Sequence, residues 1–377
     1  MSAILPGSTI GFFGGGQLGR MAAMAARSMG YDVAVLDPDP DCAARPLAST
    51  LVTAPLDDPD AAARLDRASD VVTVEIERVG REAMEAAARF CPVRPGASPL
   101  YIVQDRARQK DWLSGAGFPI APYRVAHSAA DCAAAVSALG PSIAKTCVGG
   151  YDGRGQARIE TPDDAGHAWS ALRADRLVVE RRVDIAFELS VLIARLPTGA
   201  DAVFPPAFNH HDAGVLTWSV IPAPIEPTLE RQARELGRAV AAAMAIEGLL
   251  AVEMFVLRDG SLLVNELAPR PHNTFHATER GSVTSQFEQC VRVACALPLG
   301  DPSSVAPAAI VNLLGDVWLR GTPPDFARAL TLPGVRLHLY GKRDARAGRK
   351  MGHLSAVGAT ADEAKRAVLD AYGMLHV

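Results

Sequence analysis

The first hundred residues alternate short apolar runs with segments of helical period. Residues 10–14 form an apolar strand-like run; Leu18, Met21, Ala22, Ala25 and Met29 then recur at helical spacing, and Gly30 ends that helix. The stretches 32–37, 51–54 and 71–75 read as three more strands, and 80–90 as an alanine-rich helix before the prolines at 92 and 95. This βαβ alternation predicts a parallel sheet with helices on both faces. A helix follows over 104–114, then a turn at GFPIAP. Residues 126–188 read as a small α/β unit: a helix at 128–139, a strand at 142–146, a glycine loop, a strand at 156–159, a helix near 162–172 and a strand at 177–180. Further on, helices are predicted at 229–244 and near 286–295. A Pro- and Ser-rich stretch, 298–307, sets off a last piece with its own strand, hairpin and helix.

A length of 377 residues suggests two or three domains at roughly 150 residues each. With 49% hydrophobic and 21% charged residues the chain can bury a sizeable core. Its net charge of −4 argues against a general nucleic-acid or membrane-surface partner. No apolar run approaches the ~18 residues of a membrane span, and the amino terminus has no basic segment of the kind that opens a signal peptide. The six cysteines, Cys42, Cys91, Cys132, Cys147, Cys290 and Cys295, include no C-x-x-C pair. Reduced thiols in the cytoplasm are expected, not a disulfide framework or a zinc site.

Three places carry chemistry. Gly14-Gly15-Gly16-Gln17-Leu18-Gly19 fits G-x-G-x-x-G between a strand and a helix, with Asp37 downstream where a ribose-binding acid would stand. The same pattern suits any phosphate at a strand-to-helix turn, or a tight structural turn, so a nicotinamide enzyme is one of several readings. Glu75 ends another strand of that sheet, at a ligand edge or as an ordinary surface carboxylate. Second, Lys145 ends a strand and precedes Gly149, Gly150, Gly153 and Gly155, a mobile glycine loop without the order of a P-loop.

Third, residues 251–267 place Asp259-Gly260 between two apolar runs, the signature of a two-residue hairpin turn. In that register Arg258 faces Ser261, and Glu253 faces Glu266. Like charges directly opposite destabilise a hairpin unless a cation lies between them. Two carboxylates with the amide oxygen of Asn265 suit magnesium on nucleotide phosphates; the alternatives are a pair with a raised pKa or an arginine partner. Arg270, His272, Asn273 and His276 follow, in a loop where Pro271 argues against a helix that would align the histidines as zinc ligands. Lys342, Arg343, Arg346, Arg349 and Lys350 cluster in a later turn, fit to attract a phosphorylated small molecule or simply solvated.

The motifs GGGQLGRM, LDPDPDCAA, QDRARQK, AKTCVGGYDGRGQ, VNELAPRPHN, SQFEQ and YGKRDARAGRKMGH run in order along nearly the whole chain. Through them the sequence resembles the ATP-grasp superfamily and, within it, the N5-carboxyaminoimidazole ribonucleotide synthetases of purine biosynthesis. The resemblance implies an α/β chain of three parts: a Rossmann-like pre-ATP-grasp domain (1–105), an ATP-grasp domain (106–315) with a mobile lid at about 126–188, and a small C-terminal domain (316–377). It implies that no nicotinamide binds.

By the same resemblance, ATP meets Arg106 and Lys145 under a lid running from Gly150 through Tyr151, Asp152, Gly153 and Gly155 to Gln156. Glu180 to Val183 match the adenine strand, Glu188 the ribose acid, His211 and Asn265 further nucleotide positions, and Glu253 and Glu266 the magnesium ligands, with manganese as an alternative ion. Arg270, His272 and Asn273, with Tyr151 and Asp152, match the loop that handles bicarbonate and its carboxyphosphate intermediate. Gly16, Gln17, Leu18, Glu75, Arg154, Lys342, Arg349 and Lys350 match positions that hold the ribonucleotide. A homodimer is implied, with small-molecule substrates and no nucleic acid or membrane. The chain departs from the family at Val74 and Arg78, where Y-E-F-E-N is usual, and at Phe275 and Ala277, where H-N-S-G-H and an aromatic residue are usual.

Overall fold

The protein was analysed as a computed structural model, which describes residues 2–150 and 153–376. Strands β1 (Thr9–Phe13), β2 (Asp32–Asp37), β3 (Thr50–Thr53) and β4 (Val71–Val74) form an all-parallel sheet in the order β3-β2-β1-β4. The near-continuous apolar burial of β1, β2 and β4 is what a sheet covered on both faces requires, whereas the edge strand β3 buries only Val52. The helix Gln17–Ser28 leaves the end of β1 and packs Met21 and Ala22 into one core with Phe287 and Val291 of the helix Gln286–Ala294, which ties this domain to the centre of the molecule. A helix absent from the sequence reading, Pro59–Arg67, covers the sheet; Asp58 caps it by accepting from the Asp60 and Ala61 amides.

The second sheet is antiparallel: β5 (Tyr123–Ala126), β6 (Ser142–Thr146), β7 (Gln156–Ile159) and β8 (Leu177–Arg181), in the order β5-β8-β6-β7, with the helices Ala129–Leu139 and Ala165–Leu172 packed on it. This is the small α/β unit that the periodicity predicts. The third sheet comprises β9 (Ile185–Arg195), β10 (Asp201–Val203), β11 (Ala207–Asp212), β12 (Val215–Ile221), β13 (Gly248–Leu257), β14 (Leu262–Ala268), β15 (Ala308–Leu314), β16 (Arg336–Leu339) and β17 (Lys350–Val357). Its order is β14-β13-β9-β11-β12-β15-β17-β16, with β10 on β9. The carboxy-terminal strands are therefore not a separate sheet. Val220 pairs with Ala309 and Trp218 with Val311, so β15–β17 extend the central sheet. The helix Ala361–Gly373 covers that end through Ala364, Val368 and Ala371.

Candidate active site

The carboxyl edge of the parallel sheet, the glycine loop of the lid sheet and the face of β13–β14 border one cleft of about 1670 Å³. At its centre stands the acidic hairpin. Its turn differs from the predicted one: the Leu257 amide donates to Ser261 O and the Gly260 amide to Leu257 O, so the loop is the three residues Arg258-Asp259-Gly260, with Gly260 at φ +84°. Met254 then pairs with Val264, one residue short of the predicted register, until Asn265 enters as an extra residue and Glu253 faces Glu266 after all. A bulge of this kind re-aims side chains, and Glu253, Asn265 and Glu266 all line the cleft.

Each carboxylate has a basic side chain within ion-pair distance. Arg106 Nη1 lies 3.4 Å from Glu266 Oε2, and His272 Nε2 lies 3.2 Å from Glu253 Oε1. Burial by itself would push the Glu253 carboxyl up; the His272 hydrogen bond and the charges of His272, His211 and Lys350 outweigh it and hold the group well below the usual range. The Asn265 Oδ1 atom is buried with no hydrogen-bond partner. An orphaned oxygen beside two carboxylates is an all-oxygen donor set that fits a hard divalent cation.

Around this centre, His211 Nδ1 lies 3.1 Å from Glu188 Oε2; burial lowers the affinity of His211 for its proton, but the Glu188 carboxylate more than restores it. Lys145 Nζ donates to Glu180 Oε2 at 2.9 Å, and Lys110, almost fully buried, reaches the same oxygen at 3.5 Å. On the lid, Gly153 sits so close to the β11–β12 hairpin that a Cβ there would lie 2.4 Å from Ala213 O, so the loop needs glycine at this contact.

The first glycine turn is filled from within. The Gly15 amide donates to Asp37 Oδ2 at 2.7 Å, and the Gly16 and Gly19 amides donate to Glu75 at 2.8 and 3.0 Å. A buried carboxylate, Glu75, and a partly buried one, Asp37, thus occupy the amides that a pyrophosphate would use, and burial raises the proton affinity of both. Asp37 is a cap for the turn, not a ribose ligand.

Three family models cover successive parts of the chain: a ribonucleotide synthetase preATP-grasp domain at residues 7–104, an ATP-grasp domain at 111–287, and a phosphoribosylaminoimidazole carboxylase C-terminal domain at 308–367. The N5-carboxyaminoimidazole ribonucleotide synthase of Bacillus subtilis is 39% identical over 96% of this chain and 94% of its own length. The chain belongs to the N5-carboxyaminoimidazole ribonucleotide synthase family. The Brucella melitensis synthase is 40% identical over 94% of this chain and 98% of its own. The synthase structure from Aspergillus clavatus in complex with ADP and 5-aminoimidazole ribonucleotide superposes with a TM-score of 0.89 at 30% identity, covering 98% of each chain. The architecture is accordingly an ATP-grasp fold between a Rossmann-like pre-ATP-grasp domain and a small carboxy-terminal domain.

Most positions that the resemblance to the synthases picked out line the one cleft. Gly16, Gln17, Leu18 and Glu75 lie on its parallel-sheet wall, and Arg106, Lys145, Glu180, Val183, Glu188 and His211 on its lid and central-sheet walls. Gly150, Gly153, Arg154 and Gln156 come from the lid, Arg270, His272 and Asn273 from the loop after β14, and Lys342, Arg349 and Lys350 from the basic turn. Gly155 is the exception. It turns away from the cleft at φ +71°, where a Cβ would lie 2.5 Å from Thr146 Oγ1, so it shapes the loop and does not face a ligand. Tyr151 and Asp152 lie outside the described residues.

The loop residues have distinct anchors. Arg270 Nε pairs with Glu77 Oε1 at 2.7 Å, and Gln286 holds the His272 backbone from both sides. The Asn273 amide is buried with neither polar atom bonded, the mark of a group awaiting a ligand. Lys342 Nζ donates to Gln17 Oε1 at 3.0 Å, which joins the basic turn to the glycine helix. Lys110, buried behind Glu180, escaped the sequence reading. Arg78, marked there only as a departure from the family pattern, lines the cleft: its guanidinium donates to Gly149 O at 3.1 Å and so links the parallel-sheet domain to the root of the lid.

Proposed function

We propose that the protein carboxylates the amine of 5-aminoimidazole ribonucleotide, using ATP and bicarbonate, to give N5-carboxyaminoimidazole ribonucleotide in purine biosynthesis. It is an ATP-dependent carbon–nitrogen ligase. The observation that carries the reading is a single cleft joining phosphate-handling groups (Lys145, Glu253, Glu266) to the Arg270–Asn273 loop and to the basic turn at 342–350. In the first step a bicarbonate oxygen attacks the γ-phosphorus and ADP leaves, giving carboxyphosphate. In the second the amine nitrogen attacks the carboxyl carbon, phosphate leaves and the nitrogen loses a proton.

Glu253 and Glu266, with Asn265, would hold magnesium, which supplies charge neutralisation on the phosphates when bound. Lys145 meets the transferred phosphoryl charge from the lid side. The Arg270 guanidinium and Asn273 amide orient the small carboxylate, and His272, held by Gln286, fixes the loop against Glu253. The lid excludes water from a labile mixed anhydride. Lys342, Arg349 and Lys350 attract the ribonucleotide phosphate, and Glu75 lines the ribonucleotide side of the cleft at the glycine turn. The reading extends to a cytoplasmic homodimer; six free cysteines support the compartment, and no described helix is long and apolar enough to cross a membrane.

Phosphate release from ATP, measured with and without 5-aminoimidazole ribonucleotide at varied bicarbonate, tests the reading. Strong stimulation that requires both co-substrates is expected. Bicarbonate-dependent turnover indifferent to the ribonucleotide would instead identify a ligase for a different amine, the reading that Arg78, which lines the cleft, would then favour.

A further inference from the structure

We propose that Glu279, His338 and His353 form a binding site for a zinc-class divalent cation, away from the cleft. His338 on β16 and His353 on β17 are directly opposite in the antiparallel register at the sheet's edge, with rings 5.1 Å apart and 16° from parallel. The short helix Thr278–Gly281 brings Glu279 over them, its Oε2 3.9 Å from His338 Nδ1. One ligand atom from each of the three residues lies within 4.8 Å of the others. Bonds of about 2.0–2.1 Å in a tetrahedral site place ligand atoms about 3.3 Å apart, so the site closes when the partly exposed His338 ring turns out of its stack on His353.

The surroundings favour ligation over chance proximity. Tyr340 hydroxyl contacts His353 Nδ1 at 2.9 Å, which fixes the ring and leaves Nε2 as the free nitrogen, the arrangement in which metal-bound imidazoles are commonly held by an outer partner. His353 is buried, whereas the side chains of Glu279 and His338 are 31% and 18% exposed, which gives an ion a way in. Two imidazole nitrogens and one carboxylate suit zinc or cobalt and do not suit magnesium. Arg336 faces Glu279 and Arg20 faces His338, and both charges oppose a cation.

None of the three residues lines the cleft. The helix that carries Glu279 continues directly from the Arg270–Ala277 stretch, so an ion here would pin the end of that loop to the sheet edge. Calorimetric titration of the full chain with zinc chloride, after removal of metals by chelation, is expected to show one saturable equivalent. Cobalt in its place is expected to give visible ligand-field bands. His338→Gln and Glu279→Gln should each weaken that equivalent by about ten-fold or more, with unchanged melting temperature in chelator and unchanged magnesium-dependent turnover. Glu266→Gln, at the carboxylate pair of the cleft, should leave it intact. Absence of saturable binding, or an equivalent that survives both His338→Gln and Glu279→Gln, overturns the proposal.

Discussion

Lys110 and Lys145 converge on a single carboxylate oxygen, Glu180 Oε2, at 3.5 and 2.9 Å. If Lys145 is to meet ATP phosphates it must leave Glu180, and a buried carboxylate stripped of its partner is costly, about 3–5 kcal/mol when nothing replaces it. Lys110 is the replacement already in place. Lys110→Met should therefore raise the KM for ATP by about ten-fold or more with a much smaller change in kcat. A change in kcat alone, with KM untouched, would remove Lys110 from this role.

The same lysine has a pH signature. Burial, more than Glu180 restores, lowers its pKa from 10.5 to about 8. Between those values the unfolded chain binds the proton that the folded chain has lost, so this group makes stability rise with pH from about 8 to 10.5. Below pH 8 the buried cation costs stability. The urea midpoint of the wild type, minus that of Lys110→Met, should climb across that window; a flat difference would show that Lys110 keeps an ordinary pKa.

Glu266→Gln should abolish ATP turnover while changing folding stability by about 1 kcal/mol or less, because the Arg106 pair it breaks is nearly half-exposed on the glutamate side and a facing like charge is removed. Turnover near the wild-type rate would count against the metal role of the pair. Activity and the thermal midpoint, read on one preparation, decide it.

ATP with magnesium should raise the melting temperature, by preferential binding to the native state, while NAD and NADP should not. The glycine-turn amides already serve Asp37 and Glu75, so a dinucleotide would have to displace two carboxylates, one of them buried. A shift with NAD where ATP gives none would reverse the assignment of the two glycine segments.

That glycine turn shows why some of the site could not be read in the sequence. G-x-G-x-x-G specifies a backbone shape, and a carboxylate from Glu75, on a strand sixty residues away, satisfies it as well as a phosphate does. The parallel sheet and the lid were legible because their apolar periods are local. The acidic pair was reached through two compensating local departures: a turn one residue longer than Asp259-Gly260 suggests, and a bulge at Asn265 that restores the register. The pairing of β12 with β15 joins residues about ninety apart, and no local pattern announces it. Lys110 lay hidden for a related reason: it sits in the polar helix Arg106–Gly115, whose pattern gives no sign that this one cation is buried.

Phe275 stands where the synthases usually have glycine, two residues before Ala277, which stands where they usually have an aromatic residue. The structure turns the phenyl ring inward. Phe275 is fully buried, meets Phe204 edge-on at 6.2 Å, and shares one core with Ala277, Phe287 and Tyr340. It does not line the cleft, so it does not obstruct the amine substrate. An exchange of one ring between two positions of the same core is the kind of change that packing tolerates. Phe275→Gly alone should open a void costing about 3–5 kcal/mol and weaken turnover by loosening the neighbouring His272 and Asn273. Phe275→Gly with Ala277→Trp should recover a large part of both losses, because the two sites share one space and their effects do not add. Urea midpoints and turnover of the two single variants and the double variant test this. A double variant no better than the sum of the singles would mean that the two positions fill separate spaces and that Phe275 is held by Phe204 alone.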